Sequence, residues 1–406
     1  MTREEAANNA LNKVLLVKST ILYLGTGYGK SKLAIDCINK IADFNFKQNE
    51  EETTVSIIVP RQPLINNWKE EIKKWGCNTD KIEILCYNSI HKLNKYCNCI
   101  VFDEAHHLSE LKREILDDIF KVNPNVKLLF LSATIPRDIM DYMKSLGTYN
   151  IVKGNIADGI KDEVLPTPII YTIPLYLDNI KSVAEIIKNP RCSNPVTCNY
   201  DERWNFIKRF TTRKIIIKMY PKVQYYNELS DKIDWYKRKF MFNKTVVFKN
   251  KWLRAASERL KWLSEQKVDI CQSIISILQD QRVLLFCNNI EQSLKFKNYA
   301  PINSKNKNSL QNLDDFNNSK INHISSVNML SEGMNLTNCR VGLFCNLNAS
   351  EILSQQKFGR LLRHPKPIVI IPYFKDTRDE ELKDKMLKDY DSSMIKEITD
   401  IKDIKL

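Results

Sequence analysis

Short apolar runs alternate with longer amphipathic stretches over the first 150 residues of the chain. The runs that predict strands are Ile21–Leu24, Thr54–Val59, Ile82–Cys86, Cys99–Phe102 and Lys127–Leu131. Helices are expected after Ser31, Pro63, Ser109 and Pro136. This alternation predicts a doubly wound parallel sheet with helices on both faces, and such sheets bind ligands at the carboxyl ends of their strands.

The pattern weakens near Gly147 and returns in the second half. Leu165-Pro-Thr-Pro predicts an extended connector, because residues before proline avoid the helical region. A long helical pattern over Trp252–Leu278 then precedes four further apolar runs, Arg282–Cys287, His323–Val327, Val341–Cys345 and Ile368–Ile371. A chain of 406 residues exceeds one ordinary core. We therefore predict an α/β protein with one sheet domain over residues 1–160, a connector and basic insertion over 161–250, and a second sheet domain with a charged helical tail over 251–406.

A glycine-rich turn follows the first predicted strand. Its sequence, Leu-Gly-Thr-Gly-Tyr-Gly-Lys-Ser, ends where a helix is expected to begin. Backbone N–H groups at such a helix start bind phosphate oxygens, the lysine reaches the outer phosphates and the hydroxyl holds Mg²⁺. The candidate phosphate-binding residues are Gly25, Thr26, Gly27, Tyr28, Gly29, Lys30 and Ser31. The strict pattern has a glycine where this chain has Leu24, so a turn with an incidental lysine is the alternative.

Two acids, Asp103 and Glu104, come directly after the predicted strand Cys99–Phe102. Acids at the end of a buried strand suit a cation, with Asp103 as a ligand of Mg²⁺ and Glu104 as the base that orients an attacking water. The alternative is a solvated helix start, where acids are also favourable. Because both motifs occur in one chain and in this order, the sequence indicates an enzyme that binds and hydrolyses nucleoside triphosphates.

Charge is concentrated in one segment. The net charge is +14, and residues 181–250 hold 16 Lys and Arg against 6 Asp and Glu. Aromatic residues are interspersed there: Trp204, Phe206, Phe210, Tyr220, Tyr225, Tyr226, Trp235, Tyr236, Phe240 and Phe242. Rings among cations suit stacking on single-stranded nucleic acid, but they also suit the core of a small helical insertion, and both can hold together.

Other classes of protein are disfavoured. Eleven cysteines without a Cys-x-x-Cys pair favour reduced thiols over disulfides or a cysteine metal site. No apolar run approaches the length of a membrane span, and Met-Thr-Arg-Glu-Glu is not a secretory start. We therefore expect a cytoplasmic protein without membrane contacts.

With these features together, the chain resembles the superfamily 2 helicases and translocases, which have paired RecA-like domains, from about Leu22 to about Pro372. Leu24–Ser31 is similar to the helicase form of the P-loop, which often lacks the first glycine, and Asp103–His106 is similar to motif II in its DEAH form. Val59–Leu64 with the following Asn67 and Trp68 resembles motif Ia, which grips the nucleic-acid backbone. The resemblance therefore implies nucleic-acid contacts for Pro60, Arg61, Gln62 and Asn67.

Further motifs follow along the chain. Ser132–Thr134 is similar to motif III, which couples the nucleotide state to the other domain, Val283–Asn288 to motif IV, Ser331–Leu336 to motif V and Gln356–Arg363 to motif VI. The resemblance implies a nucleotide-site role for Gly333 and catalytic roles for Gln356, Arg360 and Arg363. On a helix the two arginines share a face, so both could meet one phosphate, although such spacing is also typical of a solvated face.

The resemblance also has departures. The base-reading glutamine upstream of the P-loop is not evident, since Arg3-Glu-Glu-Ala6 stands there. Phage-type DNA helicases and restriction-enzyme motors are the most similar relatives, and no nuclease pattern accompanies the chain. We expect an ATP- and Mg²⁺-dependent monomer that acts on DNA rather than RNA, with ATP in a cleft between the sheet domains. An RNA helicase and a nucleic-acid-binding scaffold with a vestigial nucleotide switch are the alternatives.

Overall fold

The computed structural model describes residues 1–49, 52–187, 216–327, 336–347 and 357–406. Its first part alternates helices and strands. They are α1 Arg3–Lys13, β1 Ser19–Leu24, α2 Lys30–Asn49, β2 Val55–Val59, α3 Pro63–Trp75, β3 Ile82–Cys86, β4 Cys99–Asp103, α4 Glu110–Val122, β5 Lys127–Ser132, α5 Arg137–Ser145, β6 Tyr149–Gly154 and α6 Ile156–Lys161. Short 3-10 turns cover Tyr87–Lys92 and Ala105–His107.

The remaining elements are β7 Ile169–Leu175, β8 Lys181–Ile187, β9 Ile216–Pro221, α7 Lys222–Asn243, α8 Val246–Gln266, α9 Val268–Ile277, β10 Val283–Phe286, α10 Ile290–Ser293, β11 Ala300–Ile302, α11 Ser309–Asn317, β12 His323–Ser326, β13 Val341–Phe344, β14 Ile368–Phe374, α12 Arg378–Leu387 and β15 Ile395–Glu397. Residues 357–361 are also helical.

Six strands form the first sheet, in the order β3-β2-β4-β5-β1-β6, and all of its pairings are parallel. The inner strands are apolar and buried, as the continuous apolar runs require. Stacked rings of Phe102 and Phe130, 4.9 Å apart, pack between β4 and β5. The P-loop follows β1 and the acids end β4, so both lie at the carboxyl edge of this sheet.

Seven strands form the second sheet, in the order β11-β12-β10-β13-β14-β7-β15. The connector supplies β7, and the charged tail supplies β15, which pairs in parallel with β7. The predicted helical tail thus contains a strand besides α12. The long helical pattern over Trp252–Leu278 is divided between α8 and α9. The structure confirms the predicted fold class of two parallel α/β sheet domains, and the domain boundaries at 160 and 250 stay predictions.

The chain divides into two compact units. The first contains both large sheets and comprises Met1–Ile173, Val268–Ile371 and Leu382–Leu406. The second comprises Pro174–Lys267 and Pro372–Glu381, and it contains the antiparallel pair β8-β9 and the helical hairpin α7-α8. Within the second unit, Lys267 Nζ lies 2.8 Å from Asp379 Oδ2 with both side chains buried.

No helix in the described part of the chain is long and apolar enough to cross a membrane.

Candidate nucleotide site

The glycine-rich turn has the backbone of a phosphate-binding loop. Gly27 and Gly29 have φ values of +96° and +82°, which favour glycine. A Cβ on Gly27 would also lie 2.7 Å from Leu165 Cδ2. The loop ends at the first turn of α2, where N–H groups and the helix dipole favour an anion. The sequence therefore folds here into a loop that presents backbone donors to a phosphate.

Lys30 is held inside this loop. Its Nζ donates to the carbonyl oxygens of Leu24 at 2.9 Å and Gly25 at 3.4 Å. Desolvation lowers the pKa of Lys30, while the charges of Glu104 and Asp103 oppose that shift. The ring of Tyr28 is buried, and Cβ atoms built on Gly154 and Gly159 would lie about 3 Å from it. Burial also raises the pKa of Tyr28 to about 12. The loop thus holds the Lys30 ammonium group by its own carbonyl oxygens, and the buried Tyr28 ring packs against the rest of the protein.

Asp103 is positioned by three neighbours. Its Oδ2 accepts a hydrogen bond from Trp68 Nε1 at 2.9 Å, and its Oδ1 accepts one from the N–H of Glu104 at 3.0 Å. The Tyr87 hydroxyl donates to the Asp103 carbonyl oxygen at 3.0 Å. Burial and the neighbouring charge of Glu104 raise the pKa of Asp103 to about 6, with Trp68 and Lys30 opposing. An oriented, partly buried carboxylate of this kind suits a bound cation.

Glu104 departs from ordinary backbone geometry. Its φ of 48° and ψ of 57° lie in the left-handed region, which costs a non-glycine residue about 1–3 kcal/mol. This turn redirects the chain after β4. The buried Oε2 of Glu104 accepts no hydrogen bond from the described residues and lies 3.5 Å from His106 Nδ1. A buried carboxylate oxygen with spare acceptor capacity is what a water-orienting base requires.

His106 connects Glu104 to the Ser-Ala-Thr segment. Its Nδ1 lies 3.1 Å from Ser132 Oγ, which in turn donates to the Thr134 carbonyl oxygen at 2.6 Å. Polar groups of the turn after β4 are thus linked to the end of β5 by a continuous chain of contacts.

The two arginines of the motif VI segment line the same cavity as the P-loop. This cavity has a volume of about 700 Å³, and its lining includes Lys30, Ser31, Asp103, Glu104, Arg360 and Arg363. Arg360 is buried on the helix over residues 357–361, whereas Arg363 is exposed in the turn that follows it, so the two arginines do not share a helix face as predicted. A Cβ on Gly359 would lie 2.4 Å from Thr26 Cβ, so this helix approaches the P-loop closely. The volume is within the range of pockets that hold small ligands.

Not every predicted residue lies in this cavity. Asn67, predicted to contact nucleic acid, lines it beside Trp68, whereas Pro60, Arg61 and Gln62 are absent from its lining. Arg61 and Gln62 are exposed just after β2. Gln356 and Gly333 lie outside the described residues.

A magnesium ion fits the oxygen donors of Ser31 and Asp103, since Mg²⁺ prefers carboxylate, hydroxyl and phosphate oxygens with several waters.

The sequence did not indicate the roles of two residues of the site, Trp68 and Arg3. Trp68 orients Asp103, and Arg3 Nη2 donates to the Gly27 carbonyl oxygen at 3.0 Å. Trp68 shares the buried face of α3 with Leu64, four residues earlier, so the apolar pattern indicated burial. That pattern contained no signal for the hydrogen bond to Asp103, which depends on how α3 packs against β4.

Comparison with known proteins agrees with the geometry. The DEAD/DEAH box helicase family matches residues 79–142, and the helicase conserved C-terminal domain matches residues 266–365. No curated protein matches the sequence.

Two solved structures are similar in fold. The helicase domain of Hef from Pyrococcus furiosus is 15% identical with a TM-score of 0.52, and the match covers 93% of this chain and 96% of that one. A fragment of a putative HsdR subunit of a type I restriction enzyme from Vibrio vulnificus YJ016 is 14% identical with a TM-score of 0.60, covering 98% of this chain and 68% of that one. The two matched families and the paired sheets support a superfamily 2 helicase, that is, a nucleic-acid-dependent enzyme that hydrolyses ATP.

Proposed function

We propose that the protein is an ATP-driven DNA helicase or translocase that binds ATP with Mg²⁺ in the cavity described above. The observation that carries this proposal is the convergence of Lys30, Asp103, Glu104, Arg360 and Arg363 on one cavity of about 700 Å³. These residues come from both large sheet domains. A phosphoryl-transfer site needs this combination of cations, a metal ligand and a base.

Each residue has a defined task in this proposal. Lys30 exchanges its two carbonyl partners for phosphate oxygens, and the backbone of Gly25–Gly29 binds the phosphates. Ser31 and Asp103 hold the metal, with Trp68 fixing the carboxylate. When bound, Mg²⁺ neutralises phosphate charge.

The acid and the arginines complete the site. Glu104 orients the attacking water through the carboxylate oxygen that accepts no hydrogen bond from the described residues. Arg360 and Arg363 stabilise the charge that develops on the transferred phosphoryl group. Closure and reopening of the cavity during turnover would move the nucleic-acid contacts past each other.

Several features support nucleic acid as the partner and DNA as its type. The chain carries a net charge of +14, and the exposed Arg61 and Gln62 suit a phosphate backbone. One structurally similar protein is a fragment of a putative subunit of a type I restriction enzyme, and on this likeness we propose DNA rather than RNA. Such backbone contacts predict affinity that falls steeply with salt and depends little on sequence. We further propose that the protein acts as a monomer.

The test is ATPase turnover with no nucleic acid, with single-stranded DNA and with RNA of equal length. Lys30→Ala and Glu104→Gln are expected to lower stimulated turnover at least about a hundredfold. Lys47→Ala, an exposed lysine in the last turn of the same α2 helix, is the control and should match the wild type. Unchanged turnover in both site variants would contradict the assignment of the site. Stronger stimulation by RNA than by DNA would contradict the proposal that the protein acts on DNA.

A further inference from the structure

The two ends of the hairpin α7-α8 differ in charge. The hairpin tip, residues 237–254, contains seven Lys and Arg and no Asp or Glu. The hairpin base, residues 222–236 and 255–266, contains four Lys and Arg and five Asp and Glu. The cations of the tip are Lys237, Arg238, Lys239, Lys244, Lys249, Lys251 and Arg254, and all of them are exposed. The net positive charge of the hairpin is therefore confined to its tip.

The base uses its charges to hold the hairpin in place. Lys232 pairs with Glu258 at 3.5 Å across the two helices, and Arg259 donates to Ser230 Oγ at 2.8 Å. The Tyr226 hydroxyl accepts a hydrogen bond from the N–H of Arg378 at 2.7 Å. In contrast, the seven tip cations make no ion pair within the ranges that the structure describes. Lys239 and Lys251 lie over aromatic rings of the hairpin, and no acid of the described residues neutralises the charge of the tip.

The tip also exposes apolar side chains. Phe242 is 89% exposed, and Met241, Val246 and Val247 around it are 66%, 69% and 60% exposed. Most single-chain surfaces leave apolar residues scattered, so a cluster at the end of a hairpin indicates an interaction site. The helices are joined by Lys244 and Thr245 alone, with Lys244 in the left-handed region at φ 49°. The turn therefore presents the cluster at the extreme end of the hairpin.

Aromatic contacts along the hairpin keep this tip ordered. The rings of Phe240 and Trp252 stack at 6.1 Å, and those of Trp235 and Phe248 meet edge-on at 6.2 Å. The α7 helix has 22 residues and is thus about 33 Å long. Tyr220 is buried and Tyr225 packs on Trp262. Most of the described rings in the basic segment are thus structural, whereas Phe242 is not.

We propose that the hairpin tip is a nucleic-acid-binding surface, in which the cations bind phosphates and Phe242 stacks on an unpaired base at the end of a duplex. A ring surrounded by cations matches the two components of nucleic acid, its bases and its phosphates. Apolar side chains that insert at a base step also favour separation of the strands. The proposal rests on the proposed function, because the bound strand is the one on which the ATPase acts.

The experiment measures binding of the full-length protein to forked DNA without nucleotide, by fluorescence anisotropy over a range of salt concentrations. Phe242→Ala is expected to weaken binding about tenfold. Replacing Lys237, Arg238 and Lys239 by Gln is expected to reduce the slope of log K against log salt by about 2–3. ATP-driven strand displacement of the same fork should fall about tenfold in Phe242→Ala, with the ATPase stimulated by single strands retained within about twofold.

Matched controls lie before β4, at the amino edge of the first sheet. Tyr96 is 76% exposed beside the exposed Lys95 and Lys92, so Tyr96→Ala and a double Gln variant of these lysines should bind like the wild type. Binding by the tip variants that equals that of these controls would overturn the proposal. The proposal would also be overturned if the tip variants lost affinity for anionic lipid vesicles but kept their affinity for DNA. If no nucleic acid stimulated the ATPase of the wild-type protein, the proposed function would be contradicted instead. The two failures can be distinguished, because the binding assay contains no nucleotide.

Discussion

The nucleotide cavity and the hairpin tip both concentrate charged and aromatic side chains, but their surroundings differ. In the cavity, Lys30 is held by two carbonyl oxygens and Asp103 by Trp68 and the Glu104 N–H. At the tip, the cations and Phe242 face solvent. Prearranged groups stabilise a transition state, whereas exposed charge attracts an extended partner. Variants of the cavity should therefore change turnover, and variants of the tip should change binding.

The largest expected effect is that of Arg360→Ala. An arginine that meets the transferred phosphoryl group contributes about 10³-fold or more to turnover. Stimulated ATPase activity should fall by that factor, while binding of a fluorescent ATP analogue shows that the cavity is intact. The exposed Lys366 provides the control, since Lys366→Ala should leave turnover unchanged. Turnover of Arg360→Ala within tenfold of the wild type would mean that the arginine does not act on the phosphates.

A large effect on stability is expected at the junction of α8 and α12. Asp379→Ala leaves the buried ammonium of Lys267 without its carboxylate partner, which should cost about 3–5 kcal/mol. Urea denaturation followed by tryptophan fluorescence measures this loss. Asp118→Ala breaks an exposed ion pair with Lys121 and should leave the urea midpoint unchanged. Equal midpoints for the two variants would show that the buried pair does not stabilise the second unit.

Trp68→Phe is expected to have an intermediate effect on the cavity. The substitution keeps an aromatic ring but removes the N–H that orients Asp103, so about tenfold more Mg²⁺ should be needed for half-maximal turnover. Trp75→Phe is the matched control, because Trp75 lies on the same helix and donates to Glu71 instead. A magnesium titration of the ATPase distinguishes them. If the two variants have the same requirement, Trp68 does not position the metal ligand.

The smallest expected effect is that of Phe242→Ala on stability. A ring that is 89% exposed loses little packing, so the free energy of unfolding should change by less than about 0.5 kcal/mol. Denaturation in urea checks this directly. A loss above about 2 kcal/mol would show that Phe242 packs within the protein, which would remove the contrast between the tip and the cavity.

Much of the fold was accessible from the sequence because buried parallel strands are continuous apolar runs. Strands β1 to β5 lie where those runs predicted them. The edge strand β6 was missed, since its exposed and buried positions alternate and only its inner face is covered. The β15 strand has three residues, too few for a recognisable pattern. Its place beside β7 depends on tertiary packing rather than on local sequence.

The candidate site could be predicted from the sequence to a similar extent. Glycines before Lys30 and acids after an apolar strand carry chemical meaning by their position, so these residues could be chosen without a structure. The contact between Trp68 and Asp103 joins residues 35 positions apart, and its geometry is set by the packing of α3. The sequence could not show that Phe242 is exposed while neighbouring rings are packed, because both kinds of aromatic residue occur on the same helix.

The central claim is that phosphates of ATP lie between the P-loop and the arginines of the second sheet domain. A crystal structure with ADP, Mg²⁺ and a fluoride mimic of the transferred phosphoryl group tests it most directly. We expect the mimic within hydrogen-bonding distance of Lys30 and Arg360, with a water between it and Glu104. A nucleotide bound elsewhere, or Arg360 turned away from the mimic, would show that the P-loop and the arginines do not act on the same phosphates.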